Sequence, residues 1–339
     1  MLEKYFEDEV RDGFYVPSMI KRSWAVALDV LSEVDRICRK YDIKYYAEWG
    51  TLLGAVRHAG FVPWDDDLDI AMPRNDYIKF CQVAKQELKN GYEIFNFKNH
   101  DNFHHFLARV VCTSRICFED KYLKEHYGFP YIVGLDIFVH DNVSKDGKAQ
   151  EQNEKIAEYI ITVADNIADG NLNGVQEKDA LKKISQLCNC NVPVYENKEE
   201  ERIQLYTLAE NIFAAFKDDD CDEMTQMMPC SMYGNHMRIP KKYYDKVIRV
   251  PFENTTIPVP IGFDAMLSKR YGDYMKLVRN TGGHDYPFYE SQKKQLEALM
   301  DFKLPKYTFD EKKSLMNNDD VSNAGYKKIL SDVMYNLSL

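Results

Sequence analysis

The chain has 339 residues, 45% of them hydrophobic, and a formal net charge of −10. That length fits one large domain or two small ones, and the acidic balance, with no basic patch interleaved with aromatics, argues against nucleic-acid binding. No apolar run approaches the roughly 20 residues needed to cross a bilayer. The opening Met1-Leu2-Glu3-Lys4 lacks an apolar signal core, so a cytoplasmic chain is expected, able to visit the inner face of a membrane. Eight scattered cysteines then read as reduced thiols. The pair Cys188-Asn189-Cys190 is too tight for a zinc pair and has no CxxC partner, so no structural zinc is expected.

Residues 1–17 are charged and aromatic and are expected to pack loosely. From Ser18 to Tyr41, the positions Ile20, Trp24, Leu28, Leu31, Val34, Cys38 and Tyr41 recur at threes and fours, predicting an amphipathic helix capped by Ser18. Its polar face mixes both charge signs, which argues against a helix lying on anionic lipid. Ile43 to Trp49 predicts the first strand, and Gly50-Thr51 opens a helix from Leu52 to Ala59 that Gly60 closes. A helix N-terminus presents free backbone N–H groups to a phosphate.

Next comes Pro63-Trp64-Asp65-Asp66-Asp67-Leu68-Asp69-Ile70, four carboxylates in five positions. Alternation through Leu68 and Ile70 predicts a short strand with Asp67 and Asp69 on one face, about 7 Å apart along it. Two unpaired carboxylates on one face repel and raise each other's pKa, and a hard divalent cation relieves this. An EF-hand is excluded by the missing loop glycine and the missing distant Glu. An anion cradle beside a cation site suits phosphoryl chemistry on a nucleotide.

A second amphipathic helix is predicted from Asn75 to Lys89. Short strands follow at Tyr92–Phe97, Ala108–Cys112, Ile116–Phe118 and Tyr131–Val139. In the last, Val133, Leu135, Ile137 and Val139 share one face and Asp136 sits on the other. A carboxylate inside an apolar strand is costly without a partner, and a shared metal would supply one. The order of helices and strands predicts an α/β (α+β) fold with a mixed sheet. Residues 141–148 read as a linker, and helices are predicted at Gln150–Ala168, Lys178–Leu187 and Lys198–Phe216. The second acidic run, Asp218-Asp219-Asp220, has no alternating apolar flank and reads as a solvated loop. A hairpin over 246–260 turns at Glu253–Thr255. Helices at Phe263–Tyr271 and 289–302 complete the reading, before a polar tail.

The run from Gly50 through Arg57-His58, Gly60-Phe61-Val62-Pro63-Trp64 and Asp65-Asp66-Asp67-Leu68-Asp69 resembles the signature of the LicD family. These are transferases of phosphocholine and related phospho-alditols, with a nucleotidyltransferase-type fold and kinship to fukutin-type proteins. The resemblance is best from about Tyr45 to Phe80, and returns at Val133–Phe138 and Tyr271–Met275. It implies a nucleotidyltransferase-like mixed sheet flanked by helices, with a helical insertion. The expected division is a core with the metal site at 1–145, a helical insertion or subdomain at 146–230, a part completing the core at 231–305, and a peripheral tail at 306–339.

The resemblance further implies transfer of a phospho-alcohol from CDP-choline, or another CDP-alcohol, to a hydroxyl of a cell-surface glycan, free or lipid-linked. Asp67, Asp69 and Asp136 would hold Mg²⁺ or Mn²⁺, with Asp136 preferred as proton acceptor. Gly50 and Thr51 would cradle phosphate, and Arg57, His58, Arg270 and His284 would meet substrate. Two alternatives stand beside this: a nucleotidyltransferase releasing pyrophosphate, and a non-catalytic scaffold that binds nucleotide or glycan.

Overall fold

The computed structural model of the chain describes residues 3–100, 103–226, 237–279, 286–300 and 303. The N-terminal segment is more ordered than its composition suggested. Strands β1 (Glu9–Arg11) and β2 (Phe14–Val16) form an antiparallel hairpin. It is pinned by buried Val16 and by Arg11, whose guanidinium donates to Glu253 at 2.9 Å. Helix α1 (Ser18–Tyr41) runs over the predicted span. Its cap differs: the Ser18 side chain makes no capping bond, and the Ser18 N–H instead donates to Oδ1 of Asp8, at 2.6 Å. A carboxylate brought in by the hairpin thus meets the electropositive end of the helix.

The first strand shrinks to β3 (Tyr46–Ala47), and helix α2 (Trp49–Arg57) starts earlier than its apolar spacing indicated. Strand β4 (Asp69–Pro73), helix α3 (Arg74–Glu87), β5 (Glu93–Phe95) and β6 (Ala108–Val111) follow. The segment 116–118 is not a strand; a short helix α4 (Asp120–Glu125) comes after it. Strand β7 (Gly134–Val143) runs into the expected linker, because its end pairs with a later strand.

These strands make one mixed sheet in the order β3-β4-β7-β6-β5, with β4 and β7 parallel and the other neighbours antiparallel. Helices α1 and α3 lie against it, and Trp24, Ile37, Phe80, Ile70, Val110, Leu135 and Ile137 fill the core between. Burial of this apolar layer, at about 25 cal/mol per Å² removed from water, is the main force holding sheet to helix.

Helices α5 (Gly147–Ala168), α6 (Gly174–Cys188) and α7 (Lys198–Phe213) build a second apolar cluster around Ile160, Ala164, Leu181, Leu205 and Phe213. A half-buried guanidinium fastens this layer to the sheet: Arg74 donates twice to Asp141 of β7 and once to Glu210 of α7, each at 2.7 Å. The run Asp218–Asp220 is a single 3₁₀ turn in which Asp218 is exposed and pairs with Lys241.

Strands β8 (Glu223–Thr225) and β9 (Ile239–Pro240) extend the sheet beyond β7. The hairpin β10 (Val247–Phe252) and β11 (Thr255–Pro260), then α8 (Phe263–Tyr271) and α9 (Tyr289–Met300), add Phe252, Ile257, Met266, Leu267 and Leu296 to the main core.

Glycine matters most where α2 meets the loop behind it. A Cβ on Gly54 would stand 2.3 Å from the carbonyl oxygen of Gly60, a backbone atom that cannot step aside. The helix ends through Ala59 in the left-handed region, φ 53°, rather than through Gly60. Gly60 instead makes room for the Glu253 carboxylate, which lies 2.3 Å from where its Cβ would be. Gly54→Ala is therefore expected to cost at least about 1–3 kcal/mol by overpacking. A denaturant midpoint lowered without change of slope would register it.

Candidate active site

The acidic stretch enters the sheet at Asp69, so Asp67 lies just before strand β4 rather than within it. The alternation still holds: Asp65, Asp67 and Asp69 are half-buried, whereas Asp66, Leu68 and Ile70 between them are buried. Asp66 points inward, where its carboxylate accepts the Phe288 N–H at 2.6 Å. Asp67 and Asp69 thus keep to one side of the chain, as period-two spacing dictates.

Across the parallel β4–β7 ladder Asp69 stands opposite Asp136, and across the antiparallel β6–β7 ladder Asp136 stands opposite Arg109. The Asp136 N–H donates to the Leu68 carbonyl at 2.9 Å, holding the acidic stretch against β7. Arg109 grips Asp136 with both arms of its fork, Nε to Oδ1 at 2.5 Å and Nη2 to Oδ2 at 2.8 Å. Both oxygens of Asp136, the proton acceptor that the resemblance preferred, are thus engaged by Arg109.

Burial, followed by the charges of Asp67, Asp136, Asp65 and Glu48, pushes the Asp69 carboxyl well above the usual carboxylate range. Among the described residues no three carboxylate, imidazole or thiol side chains converge into a ready cation cage. The donor chemistry nevertheless fits a hard divalent ion. Carboxylate oxygens are the donors that such an ion takes, and the charges of Asp67 and Asp136 that push the Asp69 carboxyl upward are ones that a cation would offset.

Gly50 lies at the first turn of α2 and faces a protein carboxylate: its Cβ would fall 2.0 Å from Oδ2 of Asp65. The hydroxyl of Thr51 is buried and accepts the Asp69 N–H at 2.8 Å, so this side chain fixes the acidic strand. Trp49, which begins the helix, adopts φ 44°, a left-handed geometry that costs a bulky residue roughly 1–3 kcal/mol. Its indole is held by Gln226, to which it donates at 3.1 Å, and by the Arg270 guanidinium, 4.3 Å from the ring centre.

Arg57 sits at the far end of α2 from the aspartates. It donates to the carbonyls of Tyr274 and Lys276, at 2.7 and 3.3 Å, and so ties down the loop after α8. His58 caps the helix, with Nε2 3.2 Å from Asp12 of the N-terminal hairpin, and burial lowers its pKa. Arg270 is turned inward and forms a buried ion pair with Glu48. The structure therefore gathers Asp67, Asp69, Asp136, Gly50 and Thr51 into one region, and gives Arg57, His58 and Arg270 intramolecular partners. His284 lies outside the described residues.

Four residues of this region escaped the sequence reading. Asp65 shares the half-buried side with Asp67 and Asp69, a signal available in the same alternation. Arg109 was the one charge in the short strand Ala108-Arg109-Val110-Val111, and its pairing needed explaining just as that of Asp136 did. Glu48 follows strand β3 as the residue before helix α2 and is fully buried, its N–H donating to the Asp69 carbonyl at 3.0 Å. Glu253, at the turn of the β10–β11 hairpin, accepts the Phe61 N–H at 3.2 Å, and its own N–H donates to the Ala59 carbonyl at 2.8 Å. No local pattern marks that last contact.

Residues 42–158 match the family model described as LicD/FKTN/FKRP, nucleotidyltransferase domain. The chain is similar to the lipopolysaccharide cholinephosphotransferase LicD of Haemophilus influenzae, at 28% identity over 265 residues, 76% of this chain and 92% of that protein. It is also similar to an uncharacterized protein of Rickettsia typhi, 46% identical over 86 residues, a quarter (25%) of each chain. A third match, an uncharacterized protein of Rickettsia prowazekii, is 43% identical over 65 residues, 19% of this chain and 24% of that one.

Proposed function

We propose, from the match of residues 42–158 to the LicD/FKTN/FKRP family model, that this chain is a transferase moving phosphocholine, or a related phospho-alcohol, from a CDP-activated donor to a hydroxyl of a glycan. The observation that carries this reading is the register of Asp69 against Asp136, beside the first turn of α2. It lies in a chain that spans 92% of a relative named as a cholinephosphotransferase.

The reaction forms one bond between the acceptor oxygen and the phosphorus of the transferred group, and breaks the bond from that phosphorus to CMP. The acceptor hydroxyl loses its proton in the same exchange. We assign the proton-accepting role to Asp69, the register partner of Asp136, since Arg109 holds both oxygens of Asp136. Asp67 and Asp69, with Asp136, are the residues that would hold Mg²⁺ or Mn²⁺, which when bound spreads charge from the diphosphate oxygens and the departing CMP. Thr51 keeps Asp69 in place through its backbone, and the Asp136 N–H locks the preceding residue. The helical layer α5–α7, beside the sheet, is the part we assign to framing the acceptor.

Incubation of the full chain with CDP-choline, CDP-ribitol or CDP-glycerol, each with a crude cell-envelope glycan and Mg²⁺, tests the reading. CMP released from one donor with a glycan present is the expected result. Release of pyrophosphate from a nucleoside triphosphate instead would make the protein a nucleotidyltransferase. Binding of nucleotide with no turnover of any donor would make it a scaffold.

A further inference from the structure

We infer that Arg109 is a substrate-contacting residue which, in the cation-free protein, is parked on Asp136, and which passes to the donor's diphosphate when a divalent ion takes Asp136 over. This rests on the reading of the site as one that holds a CDP-activated donor and a divalent ion.

The geometry supports an exchangeable pair rather than a permanent brace. Both oxygens of Asp136 are turned to the guanidinium. The pair is not sealed: the Arg109 side chain is 30% exposed and that of Asp136 is 18% exposed. In this it differs from Glu48–Arg270, whose side chains are 0% and 4% exposed.

The guanidinium is placed by its surroundings independently of Asp136. Its stem lies along Gly134, where a Cβ would meet Cγ and Cδ of Arg109 at 2.7 Å, and its Cζ stands 5.6 Å from the ring centre of buried Phe103. A planar fork held by its stem and by an aromatic face keeps its position when its anion leaves. Guanidinium forks match phosphate oxygens in two-point fashion, as they match carboxylates. A divalent ion entering beside Asp67 and Asp69 has more carboxylate charge to meet than a single guanidinium does, and so draws Asp136 away. The guanidinium freed by that turn would be a cation available to an arriving diphosphate beside Asp136.

Calorimetric titration of the wild-type chain and of Arg109→Gln with Mn²⁺, and then with CDP in the presence of Mn²⁺, tests the exchange. Removing the competing guanidinium is expected to tighten Mn²⁺ binding, and removing the phosphate fork to weaken CDP binding, each by about tenfold, the scale of one charge-assisted interaction. Arg109→Lys, which keeps the charge but not the fork, should restore wild-type Mn²⁺ affinity without restoring CDP affinity. Gly134→Ala, which pushes the stem off the strand, should shift both affinities in the same directions as Arg109→Gln, and serves if that variant fails to fold by circular dichroism. Folded variants that bind Mn²⁺ and CDP as the wild type does would overturn the inference, and so would a wild type that binds no Mn²⁺. A wild type that shows these responses yet releases CMP from no donor would sink the transferase reading and leave the role of Arg109 standing.

Discussion

Asp69→Asn is expected to lower turnover of a CDP-activated donor by at least about 10²-fold, the low end of what a positioned proton acceptor supplies. The amide keeps the shape of the carboxylate, and the backbone bond from Asp69 to Thr51 does not involve the side chain. The fold should therefore survive. In metal-free buffer it should gain stability, because burial and the neighbouring carboxylates disfavour the charged form of Asp69. The sign follows from proton linkage. A carboxyl raised by folding binds more protons in the native state than in the unfolded one. Wild-type stability therefore declines as pH rises from the ordinary carboxylate range towards the raised value. Asp69→Asn removes that part of the decline, and a divalent cation should offset it in the wild type. Thermal unfolding across pH, with and without Mn²⁺, checks both statements. Full activity in Asp69→Asn would remove Asp69 from the chemistry.

Arg270→Met is expected to destabilise the protein by about 3–5 kcal/mol, the usual cost of leaving one partner of a buried ion pair uncompensated. Glu48 has no exposed surface, and the imidazole nearest it, His140 with Nε2 3.6 Å away, has a pKa lowered chiefly by burial, which favours its neutral form and leaves Glu48 without a compensating cation there. Such a loss is a large share of the 5–15 kcal/mol typical of folded domains. Combining Arg270→Met with Glu48→Gln should recover part of it, since removing both charges together leaves none stranded. Urea denaturation of the single and double variants measures the coupling. A stable Arg270→Met with weakened donor binding would return Arg270 to the substrate-binding role that its sequence position suggested.

Much of the scaffold was legible because its signals are short-range. The helix Ser18–Tyr41 and the helix Phe263–Tyr271 emerge at the ends their apolar spacing indicated. The turn between β10 and β11 falls at Glu253-Asn254, within the expected stretch. The errors arose where partners come from far along the chain. Residues 9–16 form a hairpin that is tied down by Glu253, supplied by a turn late in the chain, through Arg11. Ser18 was the local choice of cap, and the carboxylate of Asp8 displaced it. The segment 141–143 continues a strand because β8 is there to pair with it.

The same division runs through the site. The amino-acid sequence by itself determined that Asp67 and Asp69 share one side of an extended chain, and that Asp136 sits on the polar side of an apolar strand. Side-chain direction in such a segment depends only on counting by twos. Only the tertiary structure decided that Asp69 and Asp136 become register partners, that Arg109 closes on Asp136, and that Arg270 turns inward to Glu48. Those meetings depend on strand order and on how a late helix packs. Charge pairing across a sheet is chosen by the free energy of the whole fold, where a buried carboxylate must find a cation wherever the chain can bring one.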